Sequence, residues 1–179
     1  MKLRQYLGLL AGLVLTVSGF AFAQTPKAGE APAKEAVLKA ADVGGKLMPD
    51  KVFFRGQSAP AQARNSGGVR YADGFYILVT LVDNSGYSSG IREKYQAYFI
   101  TEVTLELGGQ TLKPGAYGVG FLDADKFVVM DIGANDLFTT GSKKDTELKH
   151  PVPLQVVAGD GGAYRLYKGR DFVEFHRAK

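Results

Sequence analysis

The sequence predicts an all-β domain, an antiparallel β-sandwich or flattened barrel, behind a flexible or partly helical N-terminal tether. Three observations predict it. From Lys51 onward apolar and polar residues alternate with period 2, the repeat of a half-buried strand. Turn-forming runs (DNSG, LGGQ, KPGA, DADK, GAND, GDGG, YKGR) separate these segments at the close spacing of a sandwich or barrel. The 179 residues contain no cysteine, so a packed core, without disulfide help, must hold the domain together.

Residues 1–23 read as a secretory signal peptide. Lys2 and Arg4 supply the charged start, Leu7 to Phe20 the apolar stretch, and Ala21-Phe22-Ala23 an A-x-A cleavage site. An uncleaved anchor would need about 20 apolar residues and would lack such a site. No transmembrane span is expected after cleavage, and the expected location is the periplasm or the exterior. Cleavage leaves 156 residues, 179 less 23, with 20 basic and 18 acidic side chains, a net charge of +2. The basic balance is not gathered into a nucleic-acid footprint, and no nucleic-acid partner is expected. A chain of about 150 residues buries enough surface for one core.

Residues 24–45, QTPKAGEAPAKEAVLKAADVGG, are rich in Ala, Pro, Lys and Glu and read as a tether, with a short helix over Ala33 to Ala41. Residues 46–179 form the single β domain. From Lys51 to Ala72 the basic residues Lys51, Arg55, Arg64 and Arg70 surround GQSAPAQARNSGG, which reads as a long binding loop. FYILVTLVD is apolar on both faces, as in a central strand covered on both sides. DNSGYSSGIREK is a second long loop, carrying Tyr87 and Arg92. KYQAYFITEVTLEL reads as one long half-buried strand, with Tyr95, Ala97, Phe99, Val103, Leu105 and Leu107 inward. KFVVMDI, PLQVV, AYRLY and FVEFH are shorter strands.

GGQTLKPGAYGVGF contains five glycines. Gly108-Gly109 suits a two-residue hairpin turn, and Lys113-Pro114-Gly115-Ala116 suits a type II turn with positive φ at Gly115. Gly118 and Gly120 then bare one face of a strand to a backbone, a large aromatic or a ligand. The run LELGGQTLKPGAYGVGF resembles the G-x-x-L-x-x-G-x-Y hairpin of exported bacterial β-sandwich domains of unknown function, over Ile100 to Met130. The resemblance implies a β-sandwich outside the cytoplasm and transfers no catalytic residue.

The motifs argue against several chemistries. Thiol chemistry has no cysteine, and the two histidines, His150 and His176, come with no G-x-S-x-G elbow and no zinc spacing. No acidic run fits a calcium loop and no glycine run fits a phosphate loop, so neither metal nor cofactor is expected. Tyr71, Tyr76, Tyr87, Tyr95 and Tyr98 offer flat platforms for a sugar, or pack the core. The chemistry therefore points to a non-catalytic binding or structural module of the bacterial cell envelope or exterior. Its contact surface is expected at Arg64, Arg70, Tyr87 and Arg92, facing an acidic glycan or a protein. The alternative is a carboxylate-dependent glycan hydrolase using two of Asp73, Asp83, Glu93, Glu102, Asp131 and Asp136.

Overall fold

A computed structural model describes residues 34–179. The signal segment and the first part of the tether, residues 1–33, lie outside the described residues. The chain forms β1 (Ala36–Leu38), α1 (Ala40–Val43), β2 (Lys51–Phe54), β3 (Gln57–Arg70), β4 (Tyr76–Val82), α2 (Ser89–Lys94) and β5 (Ala97–Thr101). Then follow β6 (Leu105–Leu107), β7 (Gln110–Leu112), β8 (Gly115–Leu122), β9 (Lys126–Met130), β10 (Asp136–Gly141) and β11 (Lys143–Lys144). β12 (Gln155–Ala158), β13 (Tyr164–Lys168) and β14 (Asp171–Arg177) complete it.

The strands build two antiparallel sheets, and neither closes into a barrel. The large sheet runs β1-β3-β4-β5-β8-β9-β10, with β2 paired to β3. The small sheet runs β12-β13-β14-β6-β7, with β11 paired to β14. Val69, Ile77, Val79, Phe99, Val119 and Phe127 of the large sheet share one core with Leu105, Leu107, Val156, Leu166, Val173 and Phe175 of the small sheet. Alternation explains this: every second side chain of a strand points between the sheets.

The other face of the large sheet carries a second core of Val43, Met48, Val52, Phe54, Leu78, Tyr87, Tyr95 and Met130. It is covered by α1, the β2–β3 hairpin and the segment around α2. β4 is therefore buried on both faces, with Ile77 and Val79 in the first core and Leu78 and Val82 in the second, as FYILVTLVD predicts.

Four expectations are corrected. The stretch 36–45 is part of the domain and no tether: β1 pairs with β3 through Ala36–Arg70, Val37–Val69 and Leu38–Gly68, and Val43 is fully buried. The short helix shrinks to the single turn of α1 because the backbone of β1 hydrogen-bonds to the sheet edge instead. GQSAPAQARNSGG is no loop but β3, whose first half pairs with β2 and second half with β4. The long strand from Tyr95 to Leu107 divides: β5 lies in the large sheet and β6 in the small one, and Tyr95 sits in the opposite core from Phe99.

The glycines of GGQTLKPGAYGVGF resolve into three kinds. Gly108 and Gly109 form the predicted β6–β7 turn at φ 55 and 81, closed by the pair Leu107–Gln110. Gly115 does not take the positive φ of a type II turn; it opens β8 opposite Thr101. Gly118 faces the ring of Phe54, and a Cβ there would sit 2.7 Å from Phe54 Cζ and 3.0 Å from Tyr95 Cδ2. Gly120 faces the backbone carbonyl of Lys94. Both strand glycines are architecture: aromatic rings and a neighbouring chain occupy the space that a ligand would have needed.

Candidate functional site

The four side chains expected to form the contact surface do not gather at one place. Arg64 sits on an irregular stretch of β3, where the register with β4 shifts between Ala61 and Ser66. That bulge is held by Asn65 Nδ2 donating to Gln62 Oε1 at 2.8 Å and by Ser66 Oγ donating to the Ala63 carbonyl at 2.8 Å. A bulge re-aims a side chain, and Arg64 is exposed. Arg70 lies six residues on, about 20 Å along an extended strand, opposite Tyr76 at the start of β4. Arg92 is exposed on α2, which follows the other end of β4.

Tyr87 is a core residue, 6 % exposed. Its hydroxyl reaches the carbonyls of Phe54 at 2.9 Å and Gln57 at 3.2 Å, and its ring packs edge-on against Phe54 and Tyr95. Burial pushes its pKa up. It anchors the β2–β3 hairpin and offers no platform. Tyr71 and Tyr95 are buried as well, and Tyr76 and Tyr98 pack against the second core.

Five of the six carboxylates of the hydrolase alternative are engaged by neighbouring groups. Asp73 meets Arg177 at 2.5 Å, whose hydrogen bond holds the carboxyl below the usual carboxylate range. Asp83 is lowered by the hydroxyl and N–H of Ser85, and Asp131 by the side chain and N–H of Asn135. Glu102 accepts the Tyr76 N–H at 2.7 Å, and Asp136 pairs with Lys94 at 2.6 Å. Glu93 is exposed on α2. A general acid needs a raised pKa, and the three resolved shifts in this set all run the other way. Among the described residues no group of three or more His, Asp or Glu side chains is placed to hold a metal ion, and no helix is long and apolar enough to cross a membrane.

Open cavities mark the surface of the described residues, and three of them matter for a binding site. One, about 550 Å³, lies where β14 leaves β11 and takes up β6, beside Glu106, Glu174, His176 and Lys143. Its acids are engaged: Thr111 Oγ1 donates to Glu106 at 2.9 Å, and Arg165 Nε lies 3.4 Å from Glu174. Another, about 480 Å³, is bordered by Glu35, Tyr71, Asp73 and Arg177. There Tyr164 donates to Glu35, and Arg177 lies over the Tyr71 ring at 5.2 Å.

The third cavity, about 540 Å³, opens between the edge strands of the two sheets, β1 and β12. Val37, Leu38, Val152, Leu154, Val156 and Val157 form its walls, and Arg64 and Lys39 stand at it, both exposed. Among the described residues no aromatic ring and no carboxylate borders it. Gln155 also lines it, and its buried Nε2 has no hydrogen-bond partner among the described residues. Of these residues the sequence reading found Arg64. It missed Lys39, which stood in the presumed tether, and Gln155, whose polar side chain interrupts the apolar run PLQVV and was the available signal. Comparison of the chain with protein-family models, curated proteins and solved structures finds no match, so the site is read from its own chemistry alone.

Proposed function

We propose that the protein is an exported, non-catalytic β-sandwich that binds a ligand of the cell envelope or exterior through the open side of the sandwich that carries Arg64. The carrying observation is the groove between β1 and β12. It combines aliphatic walls with two exposed cations and an unpartnered buried amide donor, a small number of polar groups around an apolar cleft. The charged start, apolar stretch and A-x-A site of residues 1–23 support export to the periplasm or the medium. The structural engagement of Asp73, Asp83, Glu102, Asp131 and Asp136 supports binding over glycan hydrolysis. Retention on washed envelope fractions tests the reading. The exported chain, Gln24 to Lys179, is expected to be retained saturably, and Arg64→Ala to weaken retention several-fold. Retention unchanged after replacing Arg64, Arg70 and Arg92 together, or release of reducing sugar from envelope glycan by the wild type, would sink it.

A further inference from the structure

We infer that the groove between β1 and β12 is a site for a single-chain fatty acid, with the acyl chain along the aliphatic walls and the carboxylate at Arg64 and Lys39. The inference rests on the binding reading and names its ligand class. Its volume, about 540 Å³, lies within the roughly 300–1,000 Å³ of small-molecule sites. Among the described residues no ring that would stack on a sugar or a planar heterocycle lines the groove, whereas the half-buried or exposed Val37, Leu38, Val152 and Val157 match a flexible hydrocarbon. The charge is one-sided: among the described residues Arg64 and Lys39 border the groove, no acid does, and neither cation is in an ion pair. A guanidinium recognises a carboxylate through two parallel N–H donors, and Arg64 is exposed at the groove to offer them.

The position in the fold explains why a site exists here. β1 is short and lies at the edge of the large sheet, and β12 lies at the edge of the small one. The two sheets meet closely near Gly67, where a Cβ would come within 3.4 Å of both the Leu38 carbonyl and the Val156 N–H. The bulge at Ala61 to Ser66 turns Arg64 outward at the rim of the groove.

The test is titration of the exported chain, which contains every described residue, with hexadecanoate, decanoate and hexadecan-1-ol. One-to-one binding of hexadecanoate is expected. Each methylene buried is worth about a fourfold gain, so decanoate should bind at least tenfold more weakly. The alcohol should also bind about tenfold more weakly, and the double variant Arg64→Gln, Lys39→Gln should erase that preference. Val152→Trp, at a position 40 % exposed on the rim, should block binding. If that variant fails to fold by near-ultraviolet circular dichroism, the exposed Arg64 and Lys39 replacements still decide the matter. No saturable binding, equal affinity for acid and alcohol, undiminished binding by folded Val152→Trp, or binding to phosphatidylglycerol vesicles in place of free hexadecanoate would overturn it. Wild type that stays on envelope fractions while ignoring hexadecanoate overturns the acyl site alone; wild type that neither stays on envelope fractions nor binds hexadecanoate overturns both readings.

Discussion

A tight residue-scale constraint is the aromatic stack on Gly118. Phe54 and Tyr95 lie parallel with ring centres 3.9 Å apart, both buried, and the glycine leaves room for them. Gly118→Ala would push a methyl into rings that cannot move away, an overpacking cost of about 1–3 kcal/mol. Urea unfolding should show that loss, and Phe54→Leu in the same chain should recover part of it; a fully additive double variant would refute the contact. Two neighbouring hydroxyls make a contrasting pair. Tyr87 holds the Phe54 and Gln57 carbonyls, whereas Tyr95 Oη is buried with no partner among the described residues. Tyr87→Phe should therefore cost about 1–2 kcal/mol and Tyr95→Phe almost nothing, because only the first removes hydrogen bonds, one of them the buried bond to the Phe54 carbonyl. Tyr71 adds a pH dependence. Burial first, and then the Glu35 carboxylate, push its hydroxyl from 10.0 to about 12. Between those values the unfolded chain has lost a proton that the native state keeps. The contribution is thus complete below pH 10 and is lost as pH rises toward 12, by up to ~1.4 kcal/mol per pH unit. Urea midpoints should fall from pH 10 to 11, and less steeply in Tyr71→Phe; parallel slopes would show that this tyrosine does not contribute.

At the scale of elements, the passage from β5 to β6 carries the chain from one sheet to the other. Thr101 makes the corner. Its buried hydroxyl donates to the Val103 carbonyl at 2.6 Å and accepts the Val103 N–H at 3.3 Å, while Glu102 bonds Tyr76 through both its N–H and its carboxylate. Thr101→Val keeps the shape and removes the bonds, so a loss of about 1–3 kcal/mol is expected in thermal or denaturant unfolding. A loss below about 0.5 kcal/mol would mean the corner is held by packing alone. The corner was not legible in the sequence, because the period-2 pattern runs unbroken through Thr101 to Val103 while the backbone changes sheet. β3 was missed for a different reason. Its Gln, Ser, Pro, Asn and Gly residues have poor strand propensity, and pairing on both sides, not side-chain type, makes it extended. Pro60 is tolerated because it lies at the end of the ladder with β4, just beyond the Ala61–Val82 pair, where its carbonyl still accepts the Asp83 N–H at 2.9 Å. The strands that were legible, β4, β8, β9, β13 and β14, are those where alternation and β-branched or aromatic content agree. The candidate groove was legible only at Arg64, because its walls come from segments more than 100 residues apart in the chain.

On the scale of the whole molecule, the large sheet is a central layer with a core on each side, and the outer core is closed partly by residues that composition alone marks as linker. Val43 is fully buried in that core, and Gly44 packs so closely on β3 that a Cβ would lie 2.5 Å from the Ala63 carbonyl. Just before them β1 occupies the free edge of β3, and Glu35 accepts a hydrogen bond from Tyr164 of the small sheet. Removing residues 34–45 should therefore do three things at once. It exposes the second core beneath Val43, it leaves the β3 edge unpaired from Gly68 to Arg70, and it breaks a tie between the sheets. Full burial of one valine is worth about 1.5–3 kcal/mol before the lost strand pairing is counted. A total near 3 kcal/mol lowers the melting temperature of a chain this size by about 6–12 °C. An exposed edge strand also recruits other edges, so the truncated chain should associate with itself at concentrations where the intact chain does not. Calorimetry and sedimentation of a chain beginning at Lys46 check both outcomes. An unchanged melting temperature with no self-association would restore the segment to the status of a tether and would also remove one wall of the groove between β1 and β12 without structural consequence.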